Sequence, residues 1–210
     1  MTLPGFLAAC EGRCRGAHFG TYDYTASCNV TAAFQVMDHP WCDLAKGNML
    51  LAYAGTGIFL SDGSTNVLPV APHAGTSLTS EQVAANRTAV HQAWRLSHGH
   101  IRHSLEGGFY QGWDLHPAQI PVRFATCYAF FLEGFALTMV SGVLGFAVAI
   151  ALCAAVNTLP MPTRFQGMTI TWQAGLAAVV ALTAVGVVTA TYPARRAAEL
   201  PPVEALRFEA

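Results

Sequence analysis

The stretch GFALTMVSGVLGFAVAIALCAAV (134–156) decides the fold class, because it contains no Asp, Glu, Lys, Arg or His. A second charge-free stretch, AGLAAVVALTAVGVVTATY (174–192), follows after a short connection. At a rise of 1.5 Å per residue, helices of these lengths span roughly 28 to 35 Å, which suits a hydrocarbon core about 30 Å thick. The sequence therefore predicts an all-α transmembrane helical hairpin within residues 129–210.

Basic residues predict the orientation of this hairpin. Arg195 and Arg196 follow the second stretch and Arg123 precedes the first, whereas the connection between them has a single basic residue, Arg164. Positive charges favour the cytoplasmic side, so we expect a location in the inner (plasma) membrane with both termini in the cytoplasm. The N-terminal stretch MTLPGFLAACEGRCR has its basic residues after the apolar ones, the reverse of a secretory signal.

Small residues within the two stretches predict how the helices meet. Gly142 and Gly145 in the first, with Gly175 and Gly186 in the second, would permit close contact between the helix backbones. Small residues are also common in membrane helices that make no specific contact. Both interpretations remain open at this point.

Composition and cysteine spacing exclude several classes of protein. Charged residues make up 11% of the 210 residues, the formal net charge is −1, and there is no basic stripe of the kind that binds nucleic acid. The six cysteines show no paired spacing, which predicts reduced thiols. Cys10, Cys14 and His18 lack the four ligands in two close pairs that a structural zinc site needs.

Residues 1–128 show alternating strand and helix patterns, which predicts a parallel sheet. Functional side chains in such sheets lie where the strands end. Asp23, Asp62, Asp114 and His116 occupy such positions, although an Asp there can equally form a turn or a helix cap. The predicted strands are Ala17–Tyr24, Ile58–Leu60, Val67–Val70 and Phe109–Leu115, and the predicted helices are Thr25–Val36, Trp41–Ala54 and one that begins at the capping box Thr79-Ser80-Glu81-Gln82.

Three segments of this region resemble one enzyme superfamily: HFGTYDYTASCNV (18–30), SDGSTNVLPV (61–70) and GFYQGWDLHPAQIPVRFA (108–125). They are similar to the C-terminal part of enzymes of the HpcH/HpaI aldolase and citrate lyase superfamily. The resemblance implies a partial TIM barrel, (β/α)₈, of about three βα units in residues 1–128, an Mg²⁺ or Mn²⁺ cofactor, and carbon–carbon lyase chemistry. It also implies that Asp23 is a metal ligand and that Asp62, His116 and Gln119 bind substrate.

The chain departs from this superfamily in two ways. Asn29 stands where many relatives have Gly, a change that Asn tolerates because it accepts left-handed backbone angles. The family's second metal-binding carboxylate and its substrate-binding Arg lie on strands that have no counterpart here. We therefore expect the aldolase-like part to be inactive on its own.

The end of the chain resembles a different family. FFLEGFALTMVSGVLGFAVAIAL (130–152), NTLPMPTRFQG (157–167) and TYPARRAAELPPVEALRFE (191–209) are similar to the C-terminal end of an FtsX-like ABC transporter permease of the macrolide-exporter type. The resemblance implies that Glu133 opens a membrane helix. It further implies that Tyr192, Pro193, Arg195 and Arg196 leave the next helix on the cytoplasmic side.

Taken together, the sequence predicts an integral membrane protein fused to an incomplete aldolase-like domain. The permease resemblance adds an ABC ATPase subunit and other permease helices as partners, beside the lipid bilayer itself. A metal-dependent carbon–carbon lyase fragment is the alternative. A chimeric reading frame without function, joined near Cys127 to Phe131, is the third possibility.

Overall fold

The computed structural model describes residues 2–160 and 167–198, with side chains described as far as residue 188. The chain divides into two compact units, Met1–Phe130 and Phe131–Ala210. The described part is mostly helical.

Unit 1 (Met1–Phe130) combines helices with a small parallel sheet. The strands pair in the order β1-β2-β3, with Ala17 beside Leu60 and Ser61 beside Tyr110. In chain order its elements are α1 (Leu3–Ala9), β1 (Gly16–His18), α2 (Thr21–Ser27), α3 (Pro40–Tyr53), β2 (Phe59–Asp62), α4 (Ser80–Glu106), β3 (Tyr110–Gln111) and the start of α5 (Ile120–Asn157), with short 3₁₀ helices at Ala32–Phe34 and Pro117–Gln119.

Local sequence signals explain where the long helices of unit 1 begin. Pro40 opens α3, where its missing N–H and fixed φ cost nothing. Thr79 caps α4: its side chain accepts from the amide of Gln82, whose own side chain accepts from the amide of Thr79. The predicted capping box and the predicted helix over Trp41–Ala54 are confirmed.

The apolar core of unit 1 lies between the sheet and α3. Its buried members are Phe19, Cys42, Met49, Tyr53 and Phe109, with Leu60 packed against them. Cys42, Met49 and Tyr53 recur at helical spacing and line one face of α3. This arrangement fixes α3 against the sheet and so places the residues that follow each strand.

Unit 2 (Phe131–Ala210) contains the rest of α5 and α6 (Trp172–Ala198). The two helices approach closely at glycines: a Cβ added to Gly142 would lie 2.6 Å from Leu182 Cδ1, and one added to Gly175 would lie 3.0 Å from Phe146. Gly186 lies similarly close to Phe135, whereas Gly145 has nothing within 4 Å. The predicted role of small residues at this contact holds for three of the four glycines.

The prediction of a partial TIM barrel is wrong. The described residues form one sheet of three short strands in a mostly helical structure. The predicted strand Ala17–Tyr24 ends at His18, because Thr21–Ser27 turns into α2, and α2 ends where Asn29 adopts a left-handed φ of 58°. A 3₁₀ turn at Ala32–Phe34 replaces the predicted helix Thr25–Val36, and β3 is only two residues long.

The prediction of a transmembrane hairpin is also wrong. Among the described residues, one helix is long and apolar enough to cross a membrane, and it runs to Asn157. Among the residues whose side chains the structure describes, the apolar part of α6 is Trp172–Val188, which is shorter than a typical span of about 20 residues.

Candidate functional site

The fully buried carboxylate of Asp62, the last residue of β2, is the centre of a polar network. Oδ2 accepts hydrogen bonds from Lys46 Nζ of α3 at 2.9 Å and from Ser104 Oγ of α4 at 2.8 Å. Oδ1 accepts from the amide of Gly63 at 2.8 Å. A carboxylate can be buried this deeply because a cation and several donors replace its water.

Lys46 connects this carboxylate to the surface of unit 1. Its Nζ, itself buried, lies 3.3 Å from Asp43 Oδ1, and the same oxygen lies 2.8 Å from His103 Nε2. Partial burial alone would raise the pKa of Asp43, but the hydrogen bond with His103 and the charge of Lys46 outweigh it and lower that pKa. Asp62, Lys46 and Asp43 therefore alternate in charge from the edge of the sheet to the surface of unit 1.

Gln119 holds the loop that follows Asp62. Its side-chain Nε2 donates to the carbonyl of Thr65 at 2.7 Å, and its Oε1 accepts from Ser64 Oγ at 3.3 Å and from the amide of Leu115 at 2.8 Å. The whole side chain is buried. One amide therefore joins the loop after β2 to the loop after β3.

Two histidines border the network. His100 of α4 is buried and its Nδ1 lies 2.9 Å from Thr65 Oγ1, while His18 at the end of β1 has Nδ1 3.0 Å from Ser61 Oγ. Burial lowers the pKa of both imidazoles, against a smaller opposing effect of Asp38 on His100 and of Asp62 on His18. Both rings are therefore neutral hydrogen-bonding groups at neutral pH.

Comparison with known proteins identifies the family. The model of a domain of unknown function (DUF6986) matches residues 1–156. The chain belongs to the DUF6986 family. No curated protein and no solved structure matches it.

The DUF6986 match covers all of unit 1 and continues through α5 almost to its end. It thus runs past the predicted join near Cys127 to Phe131. Most of the apolar residues of α5 therefore belong to the same family domain as the polar network.

The predicted substrate-binding residues lie in or beside the network of this DUF6986 domain. Asp62 is its centre and Gln119 its second anchor. His116 caps the 3₁₀ helix Pro117–Gln119, where its Nδ1 accepts from the amide of Ala118 at 3.2 Å. Asp114, the fourth candidate at a strand end, is paired with Arg123 at 2.6 Å.

Asp23, the predicted metal ligand, lies apart from this network. It occupies the first turn of α2 with an exposed side chain. Among the described residues, no group of three or more His, Cys, Asp or Glu side chains is placed to hold a metal ion. The described residues do not fit an Mg²⁺ or Mn²⁺ site.

The residues predicted for membrane topology lie in the long helices. Glu133 has an exposed side chain in α5. Tyr192, Pro193, Arg195 and Arg196 belong to α6, and their side chains lie outside the described residues, as does the whole of Arg164. Their predicted roles stay predictions.

Sequence reasoning missed Lys46, Ser104 and His100. A signal for Lys46 was present: it falls on the face of α3 that carries Cys42 and Met49, so a charge at a core position required a buried partner. Ser104 and His100 lie on the buried face of α4 and offered no comparable signal, because Ser and His are ordinary on helices.

Among the described residues, one buried side-chain atom has no hydrogen-bond partner. Oε1 of the buried Gln111 has no hydrogen-bond donor among the described residues, although its Nε2 donates to the carbonyls of Gly63 and Trp113. A single water would satisfy this acceptor. Asp62 is paired with Lys46, and Gln119 joins the loops after β2 and β3, so the arrangement is suited to holding these two loops in place.

Proposed function

We propose that this chain is an integral membrane protein in which α5 lies in the lipid bilayer and unit 1 is a domain held at the cytoplasmic surface. The observation that supports the proposal is the exposure of α5: its most apolar 18-residue window has no buried residue. Large side chains there face outward, among them Leu137, Val143 and Leu144.

Two ordinary explanations of an apolar helix fit this exposure poorly. The core helix of a soluble protein is mostly buried, whereas this window is not. A signal sequence lies near the N-terminus, whereas α5 begins at Ile120. Each large apolar side chain left in water forgoes about 1.5–3 kcal/mol of burial free energy, so a helix with this many requires an apolar environment.

The geometry of unit 1 supports a role other than independent catalysis. Both oxygens of Asp62 already accept hydrogen bonds, one of them from the buried Lys46. A substrate could reach this carboxylate only by breaking a buried ion pair, at a cost of about 3–5 kcal/mol. The lyase alternative stays a prediction that no described contact favours.

Within this proposal, the permease resemblance supplies the finer hypothesis. Gly142, Gly175 and Gly186 permit a close approach of α5 and α6. Further permease helices and an ABC ATPase subunit would be the partners. Purification of the full chain in mild detergent, followed by a search for a bound ATPase, tests this part separately.

A pair of matched substitutions tests the membrane proposal. Leu144 and Leu132 are 61% and 65% exposed, but Leu144 lies in the middle of the charge-free stretch and Leu132 lies before it. An Arg at the centre of a membrane helix costs about 2.5–3.5 kcal/mol, whereas an Arg near the interface costs much less. We expect Leu144→Arg to lower the fraction of chain that floats with liposomes after a urea wash, and Leu132→Arg to leave that fraction almost unchanged. Equal flotation of the two variants would contradict the proposal.

A further inference from the structure

One stripe along the exposed side of α3 carries no charge, although the exposed Asp43 lies beside it. Trp41, Leu44 and Leu51 recur at helical spacing on the side opposite the buried residues Cys42 and Met49, and they are 51%, 54% and 83% exposed. The other residues of this outward stripe, Gly47 and Asn48, are also uncharged. Solvent-facing helix surfaces normally carry charged and polar residues.

Helix α1 is a second uncharged element of unit 1. It packs beside α3 and has no buried residue and no charged residue between Leu3 and Ala9. Phe6 of α1 is 56% exposed. We call the exposed side chains of Phe6, Trp41, Leu44 and Leu51 the α1/α3 patch.

We infer that the α1/α3 patch docks on the surface of the lipid bilayer. The inference rests on the proposed function, in which α5 is the anchor. Unit 1 ends at Phe130 and the charge-free part of α5 begins at Gly134, four residues or about 6 Å further along the helix. A domain tethered this closely meets the bilayer at a high effective concentration, so weak apolar contacts are sufficient for docking.

The composition of the patch favours lipid over other occupants. Trp is enriched where membranes meet water, since its ring is apolar and its N–H is polar, and Leu and Phe form the apolar side of interfacial helices. Arg is enriched near the centre of protein interfaces, and the outward stripe of α3 has no Arg. The patch therefore has the character of a shallow membrane contact.

Trp41 provides the test. The full chain is reconstituted in liposomes whose acyl chains carry bromine, which quenches tryptophan emission only at short range. Of the four tryptophans, Trp41 and Trp113 are similarly exposed, at 51% and 49%, and Trp113 is not in the patch. Trp41→Phe should remove a lipid-quenched component of the emission, and Trp113→Phe should not.

A second pair of variants tests the patch without removing the probe. Leu51→Asp puts a charge on the patch and should cause a loss of the lipid quenching of Trp41. Val83→Asp, at a 53% exposed position of α4, should leave that quenching unchanged.

Two outcomes would overturn the inference. If the emission lost in Trp41→Phe is quenched by aqueous iodide and not by brominated lipid, the patch faces water. If it is protected from both quenchers, a protein covers the patch, which a chemical cross-linking test for a second copy would identify. A chain that does not float with liposomes at all would instead contradict the membrane proposal, and this result is distinct from flotation without quenching.

Discussion

Asp62 and Lys46 form a buried pair in which each charge depends on the other. The carboxylate is fully buried and the ammonium nearly so, with 2.9 Å between Nζ and Oδ2. Since removal of one partner leaves an uncompensated buried charge, we expect Asp62→Asn to lower the free energy of unfolding by about 3–5 kcal/mol. Urea unfolding of the full chain in mild detergent, followed by tryptophan fluorescence, measures the change.

The exposed Asp23 provides the control for this experiment. Asp23→Asn makes the same chemical change on the surface of α2, and we expect an effect within about 0.5 kcal/mol. The double variant Lys46→Met, Asp62→Asn should lose less than the sum of its two single changes, because the pair acts together. Similar losses for Asp62→Asn and Asp23→Asn would contradict the assigned pair.

His100 makes the stability of unit 1 depend on pH. Burial holds its pKa in the folded state below the ordinary value of 6.5, so the unfolded chain takes up the proton first as the pH falls. Stability is therefore complete above about pH 6.5 and decreases below it. His100→Gln should reduce this decrease below about pH 6.5 without abolishing it, since the pKa of His18 is lowered as well.

Urea unfolding at several pH values checks this prediction. The lowered pKa of Asp43 does not interfere, because its effect on stability begins only below the ordinary value of 3.8. An unchanged pH slope in His100→Gln, or a wild-type protein that gains stability on acidification, would show that His100 is not held neutral by burial.

At this scale the sequence predicted the site only in part. Resemblance and strand position selected Asp62 and Gln119, which the structure places at the centre and at the second anchor of the network. The sequence could not reveal that the partner of Asp62 is Lys46, because the two residues lie 16 positions apart, one on a strand and the other on a helix. Asp23 was selected by the same resemblance, and it lies on the surface of α2.

At the scale of elements, a matched pair of variants tests the contact between α5 and α6. A Cβ on Gly142 would meet Leu182, whereas Gly145 has open space around it. Val is stiff and branched at Cβ, so Gly142→Val should separate the helices and Gly145→Val should not. Hydrogen–deuterium exchange of Trp172–Val188 in detergent should become faster in the first variant alone.

Equal exchange rates in the two variants would show that the glycine contact is dispensable. Faster exchange in Gly145→Val alone would show that α6 contacts the face of α5 that carries Gly145 and not the face that carries Gly142.

Element type was predictable where local signals agreed. The capping box at Thr79 and the helical stretch Trp41–Ala54 led to correct helices. The aromatic run Ala17–Tyr24 has high strand propensity, yet Thr21 to Ser27 form a helix, in which Thr25 Oγ1 bonds back to the carbonyl of Thr21 at 2.8 Å. Strand propensity is weak evidence because it depends on packing against neighbouring strands.

At the scale of the whole molecule, the chain divides into two compact units, Met1–Phe130 and Phe131–Ala210, and the predicted domains 1–128 and 129–210 stay a prediction. The architectures assigned to those parts were wrong. A barrel was inferred from short motifs whose strands proved to be two to four residues long, and a hairpin from two stretches of which one forms a helix of spanning length among the described residues. Motifs report local chemistry, whereas sheet closure depends on contacts that are distant in sequence.

The central claim is that α5 lies in a bilayer, and alkaline carbonate extraction of membranes from cells that produce the full chain tests it most directly. Carbonate releases peripheral proteins and leaves proteins with a membrane-embedded helix in the pellet. We expect the chain in the pellet, because the apolar side chains of α5 are exposed in the protein itself and need lipid around them. Recovery of the folded chain in the soluble fraction would contradict the account.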